Sequence, residues 1–140
     1  MTMTVHVDIV SAEKEIYSGL AEMVFAPAEL GEVGISPRHA PMITRLKPGE
    51  VRVKESDKES YSFFVSGGML EVQPHMVTIL ADAAIRAKDI DEAAALEAKA
   101  RAEEALADKS GKIDCATAQA QLLEAIMQLR TLDRLRKRGG

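Results

Sequence analysis

The sequence predicts an α+β protein, with an N-terminal antiparallel β-sandwich followed by a C-terminal antiparallel two-helix hairpin. All five prolines and all five Tyr and Phe residues of this 140-residue chain lie before residue 75. They occur among short segments that alternate apolar and polar positions, which is the period of a half-buried strand. After Asp82, Ala, Leu and charged residues follow at helical spacing. We therefore expect two domains, a sandwich over residues 1–86 and a helical hairpin over residues 87–140.

The composition excludes several classes of protein. Hydrophobic residues make up 46% of the chain, charged residues 29%, and the net charge is −4. These values are typical of a globular protein and argue against bulk disorder and against a dedicated nucleic-acid binder. The single cysteine, Cys115, excludes an internal disulfide and a cysteine-based zinc site.

Targeting and membrane-spanning segments are not expected. The N-terminal residues lack the basic and then apolar layout of a signal peptide. The longest apolar stretch, 76–85, is far shorter than the roughly 20 residues that a membrane-spanning helix needs. We expect a soluble intracellular protein that reaches a membrane only through its partners.

Turn chemistry divides the first domain into short strands. Pro48-Gly49, the polar loop 55–60, Ser66-Gly67-Gly68 and Gln73-Pro74-His75 are typical of turns. The predicted strands are 5–10, 23–26, 50–54, 61–65, 69–72 and 76–80. This spacing favours an antiparallel sandwich or barrel.

The segment 31–41 is predicted to be a stiff connection, because its eleven residues include two glycines and two prolines. Two interpretations are open. The segment either only links strands, or presents Glu32, Arg38 and His39 as a preformed contact surface.

The second domain predicts two helices. Asp89 is expected to cap a helix from 90 to about 107, Ser110-Gly111-Lys112 to break the pattern, and Asp114 to cap a second helix. Cys115 is predicted to be a buried thiol on the seam. The second helix also carries apolar residues off the seam, which either rest on the sandwich or meet another surface. They are Ala116, Ala120, Leu123, Met127 and Leu135.

Neither catalysis nor a resident metal is expected. No phosphate loop or nucleophile motif is present, and His6, His39 and His75 lack metal-ligand spacing. The sequence therefore predicts an interaction protein. A basic tail ends the chain, and it suits either the helix macrodipole or an acidic protein surface better than nucleic acid. Its residues are Arg130, Arg134, Arg136, Lys137 and Arg138.

Four segments in order resemble the epsilon subunits of bacterial F-type ATP synthases, over essentially the whole chain. They are Gly-Glu-Val-Gly-Ile-Ser-Pro-Arg-His-Ala-Pro at 31–41, Leu-Lys-Pro-Gly at 46–49, Ser-Gly-Gly-Met-Leu-Glu-Val at 66–72 and Val-Thr-Ile-Leu-Ala-Asp at 77–82. The strand-rich part followed by the Ala/Glu/Lys-rich helices completes the resemblance.

The resemblance implies a non-catalytic rotor subunit in the central stalk, peripheral to the cytoplasmic face of the bacterial inner membrane. Such a sandwich binds the gamma subunit and the polar loops of the c-ring, and couples proton-driven ring rotation to ATP synthesis. Glu32 and His39 match family positions that meet the c-ring.

The resemblance also implies that the hairpin switches between two states. The compact state lies on the sandwich, and the extended state enters the alpha/beta catalytic head and inhibits ATP hydrolysis. There the basic tail, Arg130, Arg134, Arg136, Lys137 and Arg138, would face acidic segments of the beta subunits.

One departure concerns ATP. Some members of the family bind ATP through Ile or Leu, Asp, two variable residues and Arg-Ala. Ile90 and Asp91 match this motif, but Ala94 replaces its arginine. Because a guanidinium is the fork donor that would meet phosphate, we expect no cofactor and at most weak ATP binding.

The residues alone leave a second function open. A free-standing adaptor could use the same basic helical tail to bind an acidic protein or RNA.

Overall fold

The computed structural model describes residues 3–107 and 114–137, which form a strand-rich domain followed by two packed helices. The α+β class is therefore confirmed. Within these ranges the strands are β1 Val5–Val10, β2 Glu15–Ala21, β3 Met23–Ala28, β4 Gly31–Ile35, β5 Met42–Leu46, β6 Gly49–Lys54, β7 Ser60–Val65, β8 Gly68–Gln73, β9 Met76–Ala81 and β10 Ala84–Arg86. A 3₁₀ turn, Ala87–Asp89, leads to α1 Glu92–Ala107 and α2 Cys115–Lys137.

The strands form one curved sheet in the order β10-β7-β6-β3-β5-β8-β9-β1-β2, and β4 pairs with β3. The two ends of the sheet approach each other, since Arg86 in β10 donates from Nη2 to the carbonyl of Ile16 in β2 at 3.3 Å. The sheet therefore folds back on itself as a sandwich. The ladder between β1 and β9 is parallel, with Val7 opposite Val77, whereas the sequence predicted antiparallel pairing. Alternation shows which face of a strand is buried but not its direction.

The core is formed by strands in which every second side chain is buried. In β1, Val5, Val7 and Ile9 are at most 1% exposed, and the residues between them are half-buried. The same alternation in β8 and β9 closes the interior from the other side. A second, smaller apolar cluster of Phe64, Ile90 and Leu132 lies between the sandwich and α2.

The prediction for residues 31–41 was wrong over its first half. Gly31–Ile35 is a strand, β4, with Glu32 opposite Pro27 and Ile35 opposite Val24. The two glycines of this short strand leave only Val33 and Ile35 to show the alternation. Strands β2, β5 and β10 were also missed.

The helix starts differ from those predicted. Asp89 does not cap α1, because residues 87–89 form the 3₁₀ turn. The cap is Asp91, whose Oδ1 accepts the N–H of Ala94 at 3.1 Å. Asp114 does cap α2, since its Oδ1 accepts the N–H of Ala116 at 3.1 Å. The predicted break at 110–112 lies outside the described residues.

Small residues form the seam of the hairpin. Ala95 and Ala102 of α1 are buried, as are Ala118 and Ala125 of α2, so the helices pack closely. The prediction of a buried Cys115 was wrong, because its side chain is exposed in the first turn of α2 and the buried seam begins one turn later, at Ala118.

The off-seam face of α2 divides between two environments. Met127 packs against the cluster of Phe64, Ile90 and Leu132, and α2 also contacts β6, β7 and the 3₁₀ turn. In contrast, Ala116, Ala120 and Leu123 are exposed. The sandwich therefore covers the C-terminal half of this face and leaves its N-terminal half uncovered.

Candidate interaction surfaces and the cleft under α2

A cleft of about 200 Å³ separates the second half of α2 from the sandwich. The sandwich reaches it through the ends of β3, β4 and β6, and α2 reaches it through its last turns. Charged side chains from both domains line it, together with the small hydroxyl of Thr131. They are Glu32, Lys47, Glu50, Arg130 and Arg134.

Glu50 and Arg134 pair across this cleft. Arg134 donates from Nη1 to Glu50 Oε1 at 3.4 Å. The Glu50 side chain is only 2% exposed, whereas that of Arg134 is 51% exposed. The sandwich thus supplies a buried carboxylate, and the helix supplies a half-exposed cation.

Arg52 connects this pair to Glu32. Its Nη2 donates to Glu32 Oε1 at 3.1 Å, and its Nε lies 3.9 Å from Glu50 Oε1. Its guanidinium also lies 4.2 Å above the ring of Phe25, at cation–π distance. Charges therefore alternate in the order Glu32, Arg52, Glu50, Arg134.

Two further cations of the basic tail have partners within the chain. Arg136 binds both oxygens of Glu92 at 3.0 and 2.5 Å, which joins the end of α2 to the start of α1. This hydrogen bonding lowers the pKa of Glu92. Lys137 pairs with Asp133 at 3.1 Å. Arg130 is exposed at the edge of the cleft, and Arg138 lies outside the described residues.

The remnant of the ATP motif has structural roles here. Ile90 is 8% exposed and packs against Phe64 and Leu132. Asp91 is the cap of α1, and Ala94 is an exposed residue in the first turn of that helix. Each matching residue is therefore explained by packing or capping.

The two residues predicted to meet the c-ring are not brought together. Glu32 lies near the start of β4, beside the cleft, and its side chain is 50% exposed. His39 lies four residues beyond the end of β4, where its Nδ1 donates to the carbonyl of Ala40 at 2.8 Å. The neighbouring Arg38 has a φ of 65°, and its N–H donates to the carbonyl of Pro74 at 2.9 Å. Glu32 and His39 thus occupy opposite ends of β4.

The outer face of the sheet is a further candidate surface, and it was not predicted from the sequence. The outer face of β5, β8, β9, β1 and β2 carries exposed apolar side chains, among them Leu20 at 57%, Ile43 at 69% and Leu80 at 50%. Asp8 accepts hydrogen bonds on this face from Ser18 at 2.7 Å and from His6 at 2.9 Å. Apolar residues at the outward positions of several strands could have indicated this surface in the sequence.

Other kinds of site were sought over the same part of the chain. No group of three or more His, Cys, Asp or Glu that could hold a metal is found among residues 3–107 and 114–137. In those ranges no helix is long and apolar enough to cross a membrane.

The geometry defines a curved strand domain with a helical pair docked on it by apolar contacts and by the Arg134–Glu50 ion pair. Two family models match the chain. The beta-sandwich domain of the ATP synthase delta/epsilon chain matches residues 4–87, and the long alpha-helix domain of the same chain matches residues 88–133. The protein therefore belongs to the ATP synthase delta/epsilon chain family.

Individual relatives agree over the full length. The chain is 66% identical over 140 residues to the ATP synthase epsilon chain of Nitrosococcus oceani, covering 100% of both chains. It is 68% identical over 137 residues to ATP synthase epsilon chain 1 of Methylococcus capsulatus, covering 98% of both.

Solved structures share the fold at low identity. A chain in the cryo-EM structure of the Euglena gracilis mitochondrial ATP synthase, OSCP/F1/c-ring in rotational state 1, matches with a TM-score of 0.68 at 19% identity, covering 98% of this chain and 82% of that one. A chain in the central stalk/c-ring structure of the Tetrahymena thermophila enzyme matches with a TM-score of 0.61 at 14% identity, covering 94% and 98%.

Proposed function

We propose that this protein is a non-catalytic central-stalk subunit of a bacterial F-type ATP synthase, peripheral to the cytoplasmic face of the inner membrane. It couples proton-driven rotation of the c-ring to ATP synthesis through the gamma subunit. The observation that carries this proposal is identity of 66% to an epsilon chain over 100% of both chains, because the match includes both the sandwich and the hairpin.

The outer sheet face is the candidate surface for the gamma subunit. It is the broad face that the helices leave open, and exposed Leu20, Ile43 and Leu80 lie on it around the Asp8 hydrogen bonds. Apolar side chains around a polar centre are typical of a protein interface. Glu32 and His39 remain the proposed contacts to the polar loops of the c-ring, and each presents its side chain beside a different end of β4.

The hairpin is the proposed inhibitor of ATP hydrolysis. In the structure it is docked on the sandwich, and Arg134, Arg136 and Lys137 each contact a carboxylate of this chain. An extended hairpin would exchange these partners for acidic segments of the alpha/beta head. We assign no cofactor, because Ile90 and Asp91 serve packing and capping and Ala94 offers no donor to a phosphate.

The direct experiment is a pull-down of the tagged chain from bacterial membranes, with ATPase activity and the gamma subunit as readouts. We expect both to accompany the parent chain. Leu80→Asp introduces a charge on the outer sheet face and should release both. Leu96→Asp is the matched control, because Leu96 is similarly exposed, at 51%, but lies on α1.

Recovery of ATPase activity with Leu80→Asp at the parent level would contradict the assigned gamma surface. Absence of ATPase activity from the parent pull-down would contradict the proposed function itself. Salt-sensitive capture of RNA by the parent would instead favour the free-standing adaptor.

A further inference from the structure

Glu50 is buried although it lies on the outer side of its strand. In β6, Val51 and Val53 point into the core and are 0% exposed, so the alternation turns Glu50 outward. It lies opposite Phe64 of β7, which belongs to the apolar cluster under α2. The helix therefore buries this carboxylate when it docks.

A buried carboxylate requires a cation or a set of hydrogen bonds, because burial of an uncompensated charge is costly. Arg134 brings a cation from the helix to 3.4 Å from Glu50 Oε1. Arg52 approaches the same oxygen from the sandwich at 3.9 Å and is itself held by Glu32 and Phe25. Glu50 thus keeps a neighbouring cation on its own domain when α2 leaves.

This arrangement suits a reversible contact. Docking gains the interaction between Arg134 and Glu50, whereas undocking exposes both to water and leaves Arg52 beside the carboxylate. Lys47 and Arg130 also line the cleft, so the cleft holds further positive charge from both domains. The contribution of the pair is modest because Arg134 is half-exposed.

We propose that Glu50 and Arg134 form a latch, an ion pair across the cleft that holds the hairpin on the sandwich. The latch is a property of the isolated chain.

A buried thiol can report the opening of the cleft. Thr131 lines the cleft and is 1% exposed, so Thr131→Cys in a Cys115→Ser background places a reactive group under α2. We expect Glu50→Gln and Arg134→Gln each to raise its rate of labelling roughly fivefold. The double variant should label no faster than either single variant, because both remove the same interaction.

Glu71→Gln is the charge-matched control, since Glu71 lies on β8, away from α2, where it accepts a hydrogen bond from Gln73 of the same strand. Its labelling rate should equal that of the parent. An unchanged rate in Glu50→Gln, or effects that multiply in the double variant, would overturn the latch.

A second reporter excludes unfolding of the sandwich. Ala26 is 0% exposed in the core, and Ala26→Cys, again in the Cys115→Ser background, should label equally slowly with and without Glu50→Gln. Equal acceleration at both reporters would mean that the sandwich unfolds, and would overturn the latch.

Because all these measurements use the isolated chain, they can fail while the membrane pull-down succeeds, and the reverse.

Discussion

Tyr17 lies where the two ends of the curved sheet meet. Its ring packs near Phe63, with centroids 5.4 Å apart, and its hydroxyl donates to the carboxylate of Glu55. Burial, and after it this hydrogen bond, raises the pKa of Tyr17 above its usual value of about 10. One phenol thus links β2 to the loop after β6, at the closure of the sandwich.

The raised pKa predicts a loss of stability at alkaline pH. The unfolded chain releases the Tyr17 proton near pH 10, whereas the folded chain retains it to higher pH. The stabilising contribution is therefore complete below about pH 10 and is lost as the pH rises towards the folded pKa. Urea unfolding between pH 8 and 11 should show the free energy of unfolding falling at the alkaline end.

Tyr17→Phe should lower the free energy of unfolding at pH 8 by about 1 kcal/mol and flatten its alkaline decline. Tyr61→Phe alters a ring that is 36% exposed. In this variant the free energy of unfolding should still fall at alkaline pH as it does in the parent. An alkaline decline as steep in Tyr17→Phe as in the parent would refute this role.

At the scale of single residues, the sequence predicted which face of an element a side chain lies on better than it predicted what covers that side chain. The alternation in β6 correctly separates Val51 from its polar neighbours, but it does not show that a helix 84 positions later covers Glu50. The prediction of a buried Cys115 was wrong for a related reason. Helical spacing identifies which face of α2 meets the partner helix, but it does not show where along that face the contact begins.

The α1 helix shows how capping and packing divide between neighbouring residues. Ile90 enters the cluster under α2, which fixes the chain before the helix, and Asp91 then caps the first turn. The sequence predicted Asp89 as the cap, but residues 87–89 form a 3₁₀ turn and Asp91 caps the helix instead.

Asp91→Ala should destabilise the first turn of α1 by about 1 kcal/mol, because the N–H of Ala94 loses its side-chain acceptor. Hydrogen exchange should quicken at the amides of that turn. Asp89→Ala removes an exposed carboxylate outside the helix and should leave the exchange rates unchanged. Equal quickening in both variants would contradict the assigned cap.

At the scale of elements, the sequence predicted what strong periodicity specifies. Strands such as β1 and β9 and both helices were recognised, whereas β4 and the three-residue β10 were too short or too rich in glycine to show a period. The parallel ladder between β1 and β9 depends on contacts between residues about 70 positions apart, which local patterns do not record.

Across the whole molecule, the two domains have unequal means of stabilisation. The sandwich has a continuous core of branched and aromatic side chains. The hairpin is joined by an alanine seam and rests on the sandwich through a small apolar cluster and the Arg134–Glu50 ion pair. Since small seams bury little apolar area, we expect the hairpin to detach before the sandwich unfolds.

The central claim is that the sandwich anchors this protein in an ATP synthase and the hairpin restrains ATP hydrolysis. The most direct test is a chain that ends after Ala87, assembled into the complex in place of the full chain, with the rate of ATP hydrolysis measured for both. The account predicts that the shortened chain still co-purifies with gamma and that its complex hydrolyses ATP faster. A shortened chain that assembles normally and leaves the rate unchanged would contradict it.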